Sequence, residues 1–268
     1  LKVYSFMTFF NECDLFSMRV AEEGRHVDKI VVVEADMTFS GRPKTFHFDA
    51  ALWGANKKID YWMISYLKSP PGNATVAERE NPQKDYARRK YVFAADDVVI
   101  HSDLDEVPHE AEISRIVDMA LRAGFVACRL PCYYYFLDAY RGVLTEGLFA
   151  VRGDIASEFG FNDLRFRACR VPGYGHVPEP QYEIIKGGHF SYLMSPLAIS
   201  EKMRSYSHIE YSGPEFSDSR IIQARIDRLE DPVGRGTKLQ IVPIGDTHPR
   251  TISENWDFWK RYAYKGKI

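Results

Sequence analysis

Residues 2–10 (KVYSFMTFF) and Lys29–Ala35 (KIVVVEA) are continuous apolar runs, with room between them for one short helix. Runs of this kind, rich in β-branched and aromatic residues and lacking polar alternation, suit strands covered on both faces, as in a parallel sheet. Asn11 or Asp14 can cap the intervening helix, Leu15, Met18 and Ala21 can line its buried side, and Gly24 can end it. Strand, helix and strand within about 35 residues make a βαβ unit. The alternation continues. Residues 59–65 and 97–103 read as strands, and 81–94 as a charged helix with Pro82 at its start. Residues 111–123 form an amphipathic pattern on Ile113, Ile116, Val117 and Leu121, closed by Gly124, and 125–136 a long strand. This order predicts an α/β fold: a Rossmann-like central sheet, mostly parallel and twisted, flanked by helices.

Beyond Phe136 the pattern loosens. Gly, Pro and Tyr dominate a loop over 172–180, and Pro70-Pro71-Gly72-Asn73 is another. A strand is expected over 187–193, a helix opened by Ser195-Pro196 to about Ser205, a helix over 219–230, a strand over 239–244 and an aromatic terminal helix over 254–264. No repeat or linker interrupts the 268 residues, so one domain over 1–268 is expected.

The chemistry is concentrated in Val98-Val99-Ile100-His101-Ser102-Asp103-Leu104-Asp105-Glu106-Val107-Pro108, where an apolar run stops at three carboxylates in four positions. On an extended strand, Asp103 and Asp105 share a face. Two carboxylates on one face repel unless a cation sits between them, and a hard divalent ion takes oxygen ligands from both protein and phosphate. The pattern suggests metal-assisted handling of a diphosphate. Taken alone, an Asp-x-Asp is common and reads more readily as a solvated acidic turn.

Composition narrows the partners. The chain carries 35 Lys and Arg against 37 Asp and Glu, so it has no basic excess to follow a nucleic-acid backbone. Aromatics reach 14%, enough to stack on sugars or bases as well as fill a core. Cys13, Cys128, Cys132 and Cys169 form no Cys-x-x-Cys pair; Cys128 and Cys132 read as core residues on one strand face. No run is long enough to span a membrane and no signal peptide is visible, which fits a cytoplasmic protein. The chain starts at Leu1, so a secretory lumen is the alternative if an N-terminal anchor has been removed. Asn73-Ala74-Thr75 is a weak glycosylation sequon.

Several segments carry a resemblance, in family order: Phe9-Phe10-Asn11-Glu12; Glu34-Ala35-Asp36-Met37-Thr38-Phe39-Ser40-Gly41-Arg42-Pro43-Lys44; Ala87-Arg88-Arg89; Ser102-Asp103-Leu104-Asp105-Glu106-Val107-Pro108; Gly188-His189-Phe190-Ser191-Tyr192; and Lys202-Met203-Arg204-Ser205-Tyr206-Ser207-His208-Ile209-Glu210. The chain resembles glycosyltransferase family 17, that of the bisecting β-1,4-mannosyl-glycoprotein N-acetylglucosaminyltransferase. It departs where family members often carry Gly-Trp-His and this chain has Gly187-Gly188-His189.

The resemblance implies a GT-A type enzyme that inverts the anomeric centre, using Mn²⁺ or Mg²⁺, a UDP-sugar donor (UDP-N-acetylglucosamine) and a glycan acceptor. Residues 1–136 would then bind the donor and 137–268 the acceptor. Asp103 and Asp105 would hold the metal, Asp103 also reaching the donor, with His189 and His208 as further ligands. Glu106 would orient the loop or contact the sugar. Glu12 and Glu34, each ending an apolar strand, would bind the donor's base or ribose or a neighbouring arginine; a structural ion pair is the alternative. Arg88 and Arg89 are diphosphate candidates, although successive helical residues do not share a face. The general base would be a carboxylate, with Glu210, Glu158, Asp163 and Glu183 as candidates. Tyr134, with its neighbours Tyr133 and Tyr135, and Tyr174 would stack on acceptor sugar or belong to the core. The competing readings are a metal-dependent phosphohydrolase or nucleotidyltransferase, and a carbohydrate-binding relative without activity.

Overall fold

A computed structural model describes residues 1–66 and 75–266 of the chain. Along it run β1 (Val3–Thr8), α1 (Cys13–Glu23), β2 (Lys29–Ala35), α2 (Ala50–Trp53), β3 (Ile59–Ile64), α3 (Val76–Tyr86), β4 (Val98–His101), β5 (Glu106–Pro108), α4 (Glu110–Ala123), β6 (Phe125–Tyr134) and β7 (Ala139–Arg152). There follow α5 (Gly153–Glu158), α6 (Phe161–Ala168), β8 (Gln181–Ile184), β9 (Gly187–Ser191), α7 (Pro196–Ser205), α8 (Pro214–Ser217), α9 (Ser219–Asp227), β10 (Gln240–Ile241), α10 (Arg250–Glu254) and α11 (Trp256–Trp259).

The strands form one sheet in the order β3-β2-β1-β4-β7-β6-β9-β5, with β10 on β7 and β8 on β6. The first four are parallel, as the apolar runs predict. The sheet as a whole is mixed, not mostly parallel, because β7 pairs antiparallel with β4, β6 and β10, and β5 antiparallel with β9. The reason is the β6–β7 connection. It is too short for a crossover helix, so the chain must return as a hairpin. Tyr135, in the connection, takes a positive φ of 67°. Strand β7 escapes the sequence reading because Arg141, Gly142, Glu146 and Gly147 interrupt its apolar pattern. Strands from both sides of residue 136 thus share one sheet.

Two apolar layers cover the sheet. One gathers Met7, Leu15, Met18, Ile30, Val32, Ile100, Ile113 and Ile116; the other gathers Phe6, Val31, Val33, Val99, Phe149, Phe161 and Leu164. Full burial of each such side chain contributes about 1.5–3 kcal/mol. A third cluster, under α7 and α9, holds Tyr134, Tyr135, Tyr192, Ile199, Met203, Ile222 and Ile226. Cys128 and Cys132 are buried and free, as expected of core residues.

Three expected elements differ. Helix α3 begins at Val76, before Pro82: Thr75 and Glu78 form a reciprocal capping box, a stronger start signal than the proline. Pro82 lies inside the helix, where it lacks an N–H to donate, and the chain is extended again by Tyr91. The terminal aromatic helix is broken at Asn255 (φ −124°, ψ 44°) into α10 and α11. The strand expected over 239–244 is only Gln240–Ile241. The loop at Pro70-Pro71-Gly72-Asn73, and with it Asn73 of the sequon, lies outside the described residues. Among the described residues no helix is long and apolar enough to cross a membrane.

Candidate active site

In an α/β sheet ordered 3-2-1-4, a crevice opens between strands 1 and 4 at their C-terminal ends, because the connections leave in opposite directions there. Glu12 follows β1 and Asp103 follows β4, so the sequence puts carboxylates on both lips of this crevice. Strand β4 stops at His101, and residues 103–106 close a turn in which the Glu106 amide donates to the Asp103 carbonyl (3.1 Å). The rule that places Asp103 and Asp105 on one face holds only for extended backbone. Past the strand end the two side chains take separate partners.

Asp103 faces Arg165 of α6 at 2.5 Å and Lys84 of α3 at 3.5 Å. Burial alone would raise its carboxyl, but the Arg165 guanidinium, then the Lys84 ammonium, hold it below the usual carboxylate range. Asp105 receives Lys202 of α7 at 2.9 Å and lies 3.5 Å from His189 Nε2. Here too burial opposes ionisation, and Lys202, followed by His189, keeps the carboxyl ionised well below its ordinary range. Lys202 also reaches Glu12 at 3.1 Å, so one ammonium joins the ends of β1 and β4.

Glu106 is buried. Its carboxylate accepts from the Asp103 amide at 2.9 Å and from Arg165 at 3.2 and 3.3 Å. That pair lies across β7 at Gly147, where a Cβ would fall 1.9 Å from Glu106 Oε1 and 2.9 Å from Arg165. Glycine is therefore needed for this approach. From beneath, the fully buried Arg19 of α1 donates to Ser102 Oγ (2.5 Å) and to the carbonyls of Glu106 (2.5 Å) and Asp103 (3.3 Å), and it pairs with buried Glu23 at 2.6 Å.

Strand β9 brings His189 and Ser191 to Asp105. Its pairing sets His189 opposite Glu106 on one side and Cys132 of β6 on the other. His189 Nδ1 meets Thr145 Oγ1 at 3.0 Å and Nε2 meets Ser191 Oγ at 2.9 Å. Gly188 has no room for a side chain: a Cβ would lie 2.4 Å from the ring of Phe190, which fills that space. Burial pushes the His189 pKa down, but Asp105 outweighs it and the net shift is upward from 6.5. A raised histidine contributes stability that is complete below the unfolded value near 6.5 and is lost as pH rises through the folded value. Melting temperature should therefore fall on the alkaline side of that range, and His189→Gln should flatten this limb. An unchanged pH profile in the variant would show that the pair does not contribute.

The remaining candidates lie elsewhere. Glu34 is buried and fully satisfied by Lys44, the amides of His47 (2.7 Å) and Phe48 (3.1 Å) and the Tyr61 hydroxyl (2.8 Å); it fastens the 44–48 segment, the structural alternative. Arg88 pairs with Asp85 and donates to the Ala156 carbonyl (3.0 Å), and Arg89 is exposed. From the same region it is Lys84 that reaches the acids. His208 pairs with Glu210 at 3.0 Å, and both are exposed. Of the other base candidates, Glu158 is exposed, Asp163 half-buried, and Glu183 paired with Arg115. Tyr134 is buried against Tyr192 and Arg141 in the third core cluster, and Tyr174 packs on Phe166.

Arg165, Lys84, Lys202, Arg19 and Gly147 escape the sequence reading. Lys202 opens a segment that carries the family resemblance, but the candidate residues there are His208 and Glu210; the others carry no local signal. A divalent ion needs several donor atoms turned to one point. Among the described residues no group of three or more His, Cys, Asp or Glu is gathered that way. The four expected ligands are divided between Arg165 with Lys84 (Asp103), Lys202 (Asp105 beside His189) and solvent (His208). As arranged, they do not fit a divalent ion.

Comparison with solved structures finds distant likenesses. A 4-diphosphocytidyl-2C-methyl-D-erythritol synthase aligns at 12% identity over 73% of this chain and 94% of its own, with a TM-score of 0.43. S. aureus TarS aligns at 11% over 76% of this chain, with a TM-score of 0.45, and the chain spans 38% of that protein. The galactosyltransferase LgtC, solved with donor and acceptor sugar analogs, aligns at 10% over 66% of this chain and 67% of its own, with a TM-score of 0.34. Likenesses this distant assign no role to any residue. No curated protein matches. Residues 1–136, which contain Glu12, Lys84, Asp103, Asp105 and Glu106, match the sequence model of glycosyltransferase family 17, and the chain belongs to that family.

Proposed function

We propose that this glycosyltransferase moves a sugar, N-acetylglucosamine, from a UDP-sugar to a glycan hydroxyl with inversion. The observation that carries the reading is the cluster at the crevice between β1 and β4: Glu12, Asp103, Asp105 and Glu106 interleaved with Lys202, Arg165, Lys84 and His189. A pyrophosphate needs cations that are already oriented, and a sugar needs fixed carboxylates to accept its hydroxyl protons. Both kinds of group stand here side by side.

In this reading Lys202 and Arg165 meet the developing negative charge of the leaving UDP, a preorganised electrostatic contribution. Glu106 positions the turn through the Asp103 amide and Arg165. Asp103, which retains some exposure, accepts from donor hydroxyls. Inversion places the acceptor's attack across the ring from the departing phosphate, with a carboxylate taking the proton.

UDP release, followed with a panel of UDP-sugars with and without glycan acceptors, tests this. The expected result is acceptor-stimulated release, greatest with UDP-N-acetylglucosamine. Release that ignores acceptor would favour a phosphohydrolase, and nucleotide binding with no turnover would favour the binding relative.

A further inference from the structure

The cation positions of this cleft are filled by the chain itself. Lys202 Nζ lies 2.9 Å from Asp105 and 3.1 Å from Glu12, and the three side chains are only 15%, 9% and 8% exposed. This is no passing surface pair. A buried ammonium is tolerated when carboxylates compensate its lost hydration, and two do so here. The group is also anchored. Ser195 caps α7, Ile199 and Met203 bury its inner face, and the Tyr192 ring lies 5.8 Å from the ammonium. His189 takes the other oxygen of Asp105, and Arg165 with Lys84 neutralises Asp103.

We infer that Lys202 is the resident cation of the crevice, standing where a divalent ion would otherwise bridge Glu12 and Asp105. A metal ion approaching Asp105 would be driven off by an ammonium already in contact with the same carboxylate. An ammonium has three N–H groups, and two are directed at Glu12 and Asp105. The third is available to a phosphate oxygen. That the anion is a sugar nucleotide's pyrophosphate rests on the function proposed above; that Lys202 excludes the metal does not.

The test separates the two. Binding of Mn²⁺ alone, without nucleotide, is followed by the loss of its free electron paramagnetic resonance signal. The wild-type protein should take up Mn²⁺ only weakly. Lys202→Ala, which frees Glu12 and Asp105 with His189 and Ser191 beside them, should bind it at least about tenfold more tightly. Lys202→Arg keeps the charge and should keep the ion out. Uptake by the wild type as tight as by Lys202→Ala would overturn the inference. Should Lys202→Ala not fold, the wild type still decides: weak uptake supports a filled site, and saturable uptake at micromolar Mn²⁺ refutes it. A parallel titration of UDP in chelator reports on the donor reading alone. Wild type should bind UDP without metal and Lys202→Ala should lose at least about tenfold in affinity. Absence of UDP binding in every variant, with or without Mn²⁺, would overturn the sugar-nucleotide reading and leave the Mn²⁺ result standing.

Discussion

Replacing Arg19 with methionine should destabilise the protein by about 3–5 kcal/mol, the cost of removing one partner from a buried ion pair. Arg19 is fully buried in α1, and its guanidinium reaches Ser5, Ser102, Glu23 and the carbonyls of Asp103 and Glu106. No other side chain described here ties the first helix to the acidic turn from below. Methionine fills most of the volume but leaves the Glu106 carbonyl without its donor and the Glu23 carboxylate without its cation. Burial already pushes the Glu23 pKa up, opposed chiefly by Arg19, so in the variant the carboxyl should bind a proton on folding. The double variant Arg19→Met/Glu23→Gln should recover part of the loss, because the orphaned charge is removed with its partner. Urea unfolding of the three proteins measures this. A change below about 1 kcal/mol for Arg19→Met would mean that the turn holds itself, since surface substitutions fall in that range.

Asp105→Asn should lower acceptor-dependent UDP release by about 10²-fold or more, with the fold intact. Truncating one member of a buried, hydrogen-bonded charge pair costs about 2–5 kcal/mol, or roughly 30- to 4,000-fold. Asparagine keeps the shape but removes the charge that orients both Lys202 and His189. Because Glu12 still pairs with Lys202, the ammonium stays compensated and the protein should keep its circular dichroism spectrum. Wild-type turnover in Asp105→Asn would place the reacting groups elsewhere in the molecule.

The sequence made the sheet's first half legible because β1, β2 and β4 are buried on both faces and read as plain apolar runs. It made the acids legible because three carboxylates stop such a run abruptly. The second half was harder. Strand β7 is half-exposed and carries Gly147 where Glu106 and Arg165 cross it, so a feature that serves the site helps to hide the strand. The separate destinations of Asp103 and Asp105 depend on where β4 ends, and element ends are weakly encoded. Lys202, Arg165 and Lys84 are ordinary helix cations by local pattern. Their importance comes from tertiary contacts 97, 62 and 19 positions away from the acids they meet. Glu34 shows the converse, since a conspicuous acid at a strand end turned out to have all its partners within the neighbouring loop and strand.

The four acids of the crevice come from residues 12–106, while His189, Arg165 and Lys202 arrive only after the chain has turned back through β6 and β7. Neither part is electrically self-sufficient. A chimera that joined this amino-terminal stretch to a relative's carboxy-terminal one would bring together anions and counter-ions that had not been matched to each other, so the two stretches are bound to diversify as a single inherited unit.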